Sequence, residues 1–319
     1  MPVNVLGHDD IGQRFLRLYQ METLPHAWLL YGMRGVGKSL LAQKLAAIYL
    51  CEASDASQRP CGLCHSCRMI AGETHPDVQR IGLIWDEKKK RFRRDIHVEQ
   101  IRETLAFLSL TGMQSQRRVV ILDDADAMNG AAANALLKGL EEPPSGALIL
   151  VVCHDLTSIP ATIRSRCMLE HCSPLQEDEM AQVLQTIGFS QEVLSLSREL
   201  ADGCPGRVAI LQDEAVAKAC CEWQQMTKEL AKADLGKIEQ WLQKHVNSVP
   251  HALIVEILMQ PIAHCLEQER ESFSPSEALF DVSQSILCWP SDIRRHALRP
   301  VPSLLSRILD ARSALKATG

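Results

Sequence analysis

The segment at 32–39, Gly-Met-Arg-Gly-Val-Gly-Lys-Ser, has the residue types and spacing of a loop that binds phosphate groups. It matches the pattern G-x-x-x-x-G-K-[ST] in full, between an apolar run and a helical pattern. Glycines let the backbone adopt positive φ and turn its N–H groups toward an anion, and the following helix start favours the same charge. The lysine of such a loop contacts the β- and γ-phosphates, and the serine hydroxyl ligates Mg²⁺. The alternative is a glycine-rich turn that binds nothing. The predicted nucleotide-binding residues of the loop are Gly32, Gly35, Gly37, Lys38 and Ser39.

Two acidic residues, Asp123 and Asp124, follow the apolar run 119–122. A triphosphate with bound Mg²⁺ needs a carboxylate at a strand end to hold the metal, and usually a second residue that orients the attacking water. We assign Asp123 to the metal, through its hydration shell, and Asp124 to the water-activating position. A glutamate is expected at that second position, and aspartate is one methylene shorter. A displacement of about 1 Å costs about 100-fold in rate. The alternative is that these acids cap the strand end or the next helix.

Four of the twelve cysteines lie close together in the chain, with three of them separated by only two residues. This spacing lets neighbouring sulfurs converge on one ion at about 2.3 Å, which favours structural zinc in a closed shell that leaves no position for an activated water. An iron–sulfur cluster and four free thiols are the alternatives. The predicted metal ligands are Cys51, Cys61, Cys64 and Cys67.

Arg166 belongs to the segment 162–167, after the final apolar run, where a nucleotide-binding domain faces its neighbour in a ring. Its guanidinium is permanently charged and planar, so it can stabilise charge on a phosphoryl group bound by an adjacent subunit. The catalytic contribution predicted for this chain is therefore made in trans. The alternative is a surface residue that forms an ordinary ion pair.

These residues require elements that place them together, and the sequence predicts an α/β fold. Apolar runs at 27–31, 78–84, 118–122 and 147–153 have consecutive apolar positions, which is typical of parallel strands buried on both faces. Helical patterns at 39–49, 98–108 and 131–140 separate them. We expect an α/β domain over 1–172, a small helical lid domain over 173–212 and a helical C-terminal domain over 213–319. Pro261, Pro290 and Pro300 are predicted to break or kink helices in the last of these.

Composition excludes several classes of protein. The 319 residues carry 34 Lys and Arg against 39 Asp and Glu, a net charge of −5, which excludes a protein that coats nucleic acid on its own. Aromatic residues make up 4% of the chain, so base-stacking platforms are not expected. The start has no signal pattern and no apolar run is long enough to span a bilayer, so we expect a cytoplasmic protein without membrane contact.

Together these stretches resemble the bacterial clamp-loader branch of the AAA+ family over roughly residues 5–210. The resemblance is carried by the four-cysteine insertion, AAANALLKGLEEPP at 131–144, THPD at 74–77 and SRC at 165–167. It implies an AAA+ module in two domains followed by a helical collar domain. The implied function is that of a subunit of the DNA polymerase III clamp loader, a hetero-pentamer that opens the sliding clamp and loads it on primed DNA. The implied roles are an arginine finger for Arg166 and structural zinc binding for the cysteines.

The chain departs from the ATPase subunits of that family at three places. Asp124 replaces a glutamate, Cys153-His154 stands where a polar sensor is expected, and Gly206 aligns with a sensor arginine. The adjacent Arg207 is displaced by one residue, which rotates a helical side chain by about 100°. We therefore expect ATP with Mg²⁺ to be bound weakly or vestigially, and little or no ATPase or polymerase activity from the isolated chain.

Two other functions remain open at this point. The complete phosphate loop also fits an active AAA+ ATPase motor subunit. The cysteines and the basic run Lys88–Arg94 also fit a zinc-dependent module that binds nucleic acid. The alternative interpretation of that run is a solvated hairpin tip between two strands.

Overall fold

A parallel sheet of five strands forms the centre of the N-terminal part of the protein. The computed structural model describes residues 5–86, 91–92, 95–110, 116–271 and 277–318. The strands are β1 (Ala27–Tyr31), β2 (Val78–Ile81), β3 (Trp85–Asp86), β4 (Arg91–Phe92), β5 (Arg118–Leu122), β6 (Ala147–Cys153) and β7 (Met168–His171). The sheet order is β2-β5-β6-β1-β7 with every pairing parallel, whereas β3 and β4 form a separate antiparallel pair.

The sheet is buried on both faces because successive side chains of its central strands enter two different apolar cores. Leu148 and Leu150 of β6 pack in one core with residues of the first two helices. Ile149 and Val151 pack in the other, with residues of the fourth and fifth helices. This two-sided burial explains the continuous apolar runs in the sequence.

Thirteen α-helices accompany the strands in the described residues. They are α1 (Asp9–Gln20), α2 (Lys38–Leu50), α3 (His65–Ala71), α4 (Val98–Ser109), α5 (Gly130–Glu141), α6 (Ala161–Arg164), α7 (Glu177–Ile187), α8 (Gln191–Ala201), α9 (Glu214–Thr227), α10 (Leu235–His245), α11 (His251–Glu271), α12 (Glu277–His296) and α13 (Pro300–Thr318). The chain divides into two compact units. The first comprises the described residues up to Val183 with Gly203–Gly206, and the second comprises Leu184–Asp202 with the described residues from Arg207 onward. None of the described helices is long and apolar enough to cross a membrane.

The predicted strands at 27–31, 118–122 and 147–153 are confirmed with those bounds, and the strand predicted at 78–84 is shorter, ending at Ile81. One strand of the five-stranded sheet was missed. β7 is only four residues long and exposes alternate side chains, so it lacks the continuous apolar signal. Arg166, which follows the final apolar run, therefore lies in the connection between β6 and β7.

The helix break predicted at Pro300 is confirmed, because α12 ends at His296 and α13 begins at Pro300, whereas Pro261 and Pro290 do not end their helices. Pro261 lies inside α11 and Pro290 inside α12, while Pro300 is the first residue of α13. Proline is well tolerated at a helix start, where its missing N–H has no intrahelical partner. Inside a helix it costs about 3 kcal/mol. Fully buried side chains such as Ile254 and Ile262 in α11 and Trp289 in α12 provide the packing that offsets this cost.

Candidate functional site

The phosphate loop lies at the carboxyl end of β1, and the first residue of α2 is Lys38. The three glycines of the motif have positive φ, at 143° for Gly32, 86° for Gly35 and 105° for Gly37. Gly32 also packs against the chain that leaves β7, because a Cβ at this position would lie 2.3 Å from the carbonyl oxygen of Cys172. The loop thus has the backbone conformation that turns N–H groups toward an anion, and its shape is fixed in part by the neighbouring strand.

The lysine of the loop is buried and bonded to the loop itself. Lys38 Nζ donates to the carbonyl oxygens of Gly32, at 2.7 Å, and Met33, at 2.8 Å. Only 3% of the surface of Lys38 is exposed, and this burial lowers the pKa of its ammonium group below the ordinary value. An incoming phosphate would therefore compete with two backbone acceptors for this ammonium group.

Asp123 and Ser39, the residues assigned to the metal, are in direct contact. Ser39 Oγ donates to Asp123 Oδ2 at 2.6 Å. The carboxylate also accepts from Arg80, whose Nη2 lies 3.0 Å from Oδ2, and the same Nη2 contacts Ser39 Oγ. A guanidinium thus stands beside both groups that would hold Mg²⁺. The loop fits the phosphates of a nucleotide, but the metal position does not fit a divalent cation while Arg80 keeps this conformation.

The residue at the water-activating position, Asp124, has two cationic or polar partners. Its Oδ1 accepts from Arg34 of the loop at 2.8 Å and lies 2.8 Å from Nε2 of His154. The hydrogen bond with His154 lowers the pKa of the Asp124 carboxyl below its ordinary value. The backbone of Asp124 has positive φ, 49°, at the start of a short 3₁₀ turn. This carboxylate is therefore held toward Arg34 and His154.

The four cysteines converge although they are spread over 17 positions of the chain. Their Sγ atoms all lie within 4.8 Å of one another, and those of Cys51 and Cys64 are 4.0 Å apart. Four sulfurs at about 2.3 Å from one ion in tetrahedral geometry are separated by about 3.8 Å, so the set fits zinc. Backbone N–H groups point at the sulfurs, for example from Cys61 to Cys51 at 3.4 Å and from Cys67 to Cys64 at 3.4 Å. All four thiols are available, since none of them forms a disulfide.

The thiols of this cluster differ in their surroundings. Burial raises the pKa of Cys51 and of Cys67 above the ordinary thiol value. The backbone N–H of Cys64 is the main cause that lowers the pKa of Cys61, to about 6. A metal ion would favour the thiolate at every position, because thiolates are the species that ligate zinc.

The cysteine cluster is attached to the rest of its unit through α3 and the residues that follow. Gln43 of α2 donates from Nε2 to the carbonyl oxygen of Ile70 at 2.7 Å. Ser66 donates to Glu52 at 2.7 Å, and its Oγ lies 3.1 Å from Nε2 of the buried His75. These contacts tie the cluster to the helix that begins at the phosphate loop.

Arg166 is exposed and contacts α5 as well as its own segment. Its guanidinium pairs with Glu141 at 2.8 Å and donates to the carbonyl oxygen of Thr162 at 2.9 Å. The two side chains of the ion pair are 37% and 51% exposed. An arginine held in this way can leave Glu141 at little cost, because exposed ion pairs contribute about 0–1 kcal/mol.

Gly206, the position aligned with a sensor arginine, and its neighbour Arg207 belong to different units. The backbone N–H of Gly206 donates to the carbonyl oxygen of Gly35 at 2.8 Å, and a Cβ at Gly206 would lie 2.7 Å from Gly35 Cα. A side chain at this position would therefore displace the phosphate loop. Arg207 pairs with Glu256 and with Asp202 inside the second unit.

Sequence reasoning missed Arg80 as part of the site, and it did not predict the contacts of Arg34 and His154 with Asp124. Arg80 was read as one position of an apolar strand, yet a charged side chain near the carboxyl end of a parallel strand is a usable signal, because ligands bind at that edge of such sheets. Of the basic run at 88–94, the structure describes only the backbone of Arg91 and Phe92, which forms β4, and the predicted hairpin tip lies outside the described residues.

Comparison with known proteins finds a matching family profile and several similar proteins. A profile of the family described as "DNA polymerase III, delta subunit" matches residues 7–176. The chain is 33% identical over 247 residues to DNA polymerase III subunit delta' of Pseudomonas aeruginosa, covering 72% of this chain and 68% of that protein. It is 30% identical over 200 residues to subunit delta' of Escherichia coli K12, covering 62% of this chain and 58% of that protein.

A solved structure is similar in fold. It is a DNA polymerase III gamma subunit-related protein from Thermotoga maritima, with a TM-score of 0.50 and 15% sequence identity, covering 94% of this chain and 99% of that chain. At this identity the likeness concerns the fold alone.

Proposed function

The chain belongs to the DNA polymerase III, delta subunit family, and from that premise we propose that it serves as a delta-prime subunit of the bacterial clamp loader. In this function it assembles with the other clamp-loader subunits in a hetero-pentamer. Through that complex it acts on the sliding clamp and on primed DNA. The proposal is supported by relatives named delta' that match at 33% and 30% identity.

The observation that carries the proposed mechanism is the placement of Arg166. It is an exposed cation on the connection between β6 and β7, held by one exposed ion pair with Glu141. A guanidinium in this setting can rotate toward a phosphoryl group bound by a neighbouring subunit, where it stabilises the charge of the transition state. The chain then contributes to ATP hydrolysis in trans without turning over nucleotide itself.

The site of this chain is proposed to hold a nucleotide without hydrolysing it productively. Bound Mg²⁺ would neutralise charge on the β- and γ-phosphates. The groups that would hold the metal, Ser39 and Asp123, are both in contact with Arg80, and Asp124 is bonded to Arg34 and His154. The loop N–H groups and Lys38 remain suited to phosphate. This is why an active motor subunit is the less favoured function.

Structural zinc is the proposed occupant of the cysteine cluster. Four sulfurs complete a tetrahedral shell, so no coordination position remains for an activated water. The cluster's role is to hold α3 and the following turn against α2. We further propose that residues 173–212 act as a lid domain and residues 213–319 as a collar that joins the subunits.

Co-elution tests the proposed function. The full chain is mixed with the other clamp-loader subunits of the same source and passed over a size-exclusion column, with and without ATP. We expect one complex that contains the chain under both conditions, because its assembly does not depend on turnover at its own site. Elution of the chain apart from the other subunits under both conditions would refute the proposal. ATP hydrolysis by the purified chain, abolished by Lys38→Ala, would favour the motor function instead.

A further inference from the structure

Arg80 is an arginine whose side chain reaches the phosphate site from an edge strand. It lies on β2, one residue before the strand ends. Nη2 lies 3.0 Å from Asp123 Oδ2 and contacts Ser39 Oγ, while Nη1 donates to Glu73 Oε1 at 2.8 Å. The guanidinium is therefore held at both ends, by one carboxylate inside the site and by one outside it.

The partners of Arg80 are the groups that a divalent cation requires. In a phosphate loop of this type the serine hydroxyl and the strand-end aspartate hold Mg²⁺. Here Ser39 and Asp123 share a hydrogen bond of 2.6 Å, and both face the guanidinium. Arginine supplies positive charge but has no lone pair, so it cannot act as a metal ligand. Charge compensation of Asp123 is thus complete without a metal.

We propose that Arg80 is an internal cation at the metal position, so that the site accepts nucleoside phosphates free of divalent metal and discriminates against their magnesium complexes. This inference shares one assumption with the proposed function, namely that the loop binds phosphate. Backbone N–H groups of the loop, Lys38, Arg34 and Arg80 supply the charge that the phosphates need. Mg²⁺ enters only if the guanidinium leaves Asp123 and Ser39.

Glu73 is a positioning residue for this cation. It follows α3 in a turn with φ of 56°, and its backbone N–H donates to the carbonyl oxygen of Ile70 at 3.1 Å. The turn therefore continues directly from the helix that carries Cys67. Through Glu73 the cysteine-rich segment binds Nη1 of Arg80, while Nη2 of the same guanidinium contacts Asp123.

Equilibrium binding of a fluorescent ATP analogue tests the inference. Affinity is measured in excess Mg²⁺ and in buffer freed of divalent metal on a chelating resin, which leaves any zinc in the cysteine cluster in place, for the wild-type chain, for Arg80→Gln and for Glu73→Gln. Arg17→Gln is the matched control, because it removes the same charge from an exposed position of α1. Thermal melting of each variant reports whether it is folded. Since Arg80 is 37% exposed on an edge strand, its replacement leaves the core intact.

The readout is the ratio of affinity with Mg²⁺ to affinity in the metal-free buffer. We expect a ratio of about one or below for the wild-type chain and for Arg17→Gln, and a rise of about tenfold or more for Arg80→Gln, with a smaller rise for Glu73→Gln. A wild-type ratio that already favours Mg²⁺ and is unchanged in Arg80→Gln overturns the inference. So does a folded Arg80→Gln chain that binds the Mg²⁺ complex no better than wild type, including the case in which neither binds.

Co-elution of Arg80→Gln with the other clamp-loader subunits separates the two proposals. A variant that joins the complex yet shows no change in magnesium dependence overturns the inference about Arg80 and leaves the proposed function standing. Wild-type chain that fails to join the complex overturns the proposed function, whatever the magnesium dependence of Arg80→Gln.

Discussion

Replacement of Arg166 by alanine separates a catalytic role in trans from a structural role within this chain. The structural loss is small, because the variant gives up one exposed ion pair with Glu141 and two exposed hydrogen bonds, to Thr162 and to Ser165. Exposed pairs contribute about 0–1 kcal/mol, which corresponds to a fall in Tm of about 2–4 °C at most for a unit of this size. An arginine finger contributes about 10³–10⁵ in rate at the site that it serves. The two roles therefore predict effects of very different size.

The assay is single-turnover ATP hydrolysis by the reassembled clamp loader in the presence of clamp and primed DNA. We expect Arg166→Ala to slow the turnover at one interface by at least about 10³-fold while the complex still elutes intact. Arg164→Ala is the matched control, since it removes an arginine two residues earlier, at the end of α6. Glu141→Gln releases the finger without removing it, so its turnover should equal or exceed wild type. Wild-type turnover by an intact complex containing Arg166→Ala would refute the assignment.

The remaining predictions concern metal, loop and core. The purified chain should carry one zinc per molecule by atomic absorption, and Cys64→Ser should lose it. Loss of only about 3 kcal/mol of zinc-binding energy lowers Tm by about 6–12 °C, and an unchanged Tm after chelation would contradict a structural metal. Gly32→Ala should cost about 2–3 kcal/mol in urea unfolding without nucleotide, because φ is 143° and its Cβ would meet the Cys172 carbonyl oxygen at 2.3 Å. Arg14→Gln should cost about 2 kcal/mol in the same assay, since it leaves the buried Glu170 carboxylate, now bound at 2.7 and 2.8 Å, without its cation. A smaller loss for Arg14→Gln than for Arg17→Gln would show that this pair is not stabilising.

The sequence was sufficient where a local pattern carries the whole signal. β6, and β5 from Val119 onward, are apolar at consecutive positions, and both strands were predicted with correct bounds because a strand buried on both faces has no polar alternation. The phosphate loop is a continuous motif, so the positive φ angles of its glycines could be predicted from the sequence. β7 could not be predicted in the same way, because its stability comes from pairing with β1 and only one of its four side chains is fully buried.

The contacts of the site could not be predicted because they join residues far apart in sequence. Arg80 and Ser39 are separated by 41 positions and Asp124 and His154 by 30. Each pair meets only because the strands that carry or precede these residues end at the same edge of a parallel sheet. The sequence identified the acids and the loop, whereas the identity of the cation beside Asp123 depended on the sheet order, in which β2 is the neighbour of β5.

Electrostatic energies decide whether Arg80 and a metal ion can occupy this site together. At an effective dielectric constant of 20, two unit charges 4 Å apart interact by about 4 kcal/mol, so a guanidinium that stayed beside Mg²⁺ would cost about 8 kcal/mol. The two cations therefore exclude one another. The guanidinium can instead rotate out by giving up its pairs with Glu73 and Asp123, which are partly exposed and worth about 0–1 kcal/mol each. If the two pairs together contribute about 1.4 kcal/mol, their loss lowers the affinity for the Mg²⁺ complex about tenfold. Arg80 is thus a bias against Mg²⁺ and not a permanent block, which is why a graded shift in magnesium dependence is the appropriate measurement.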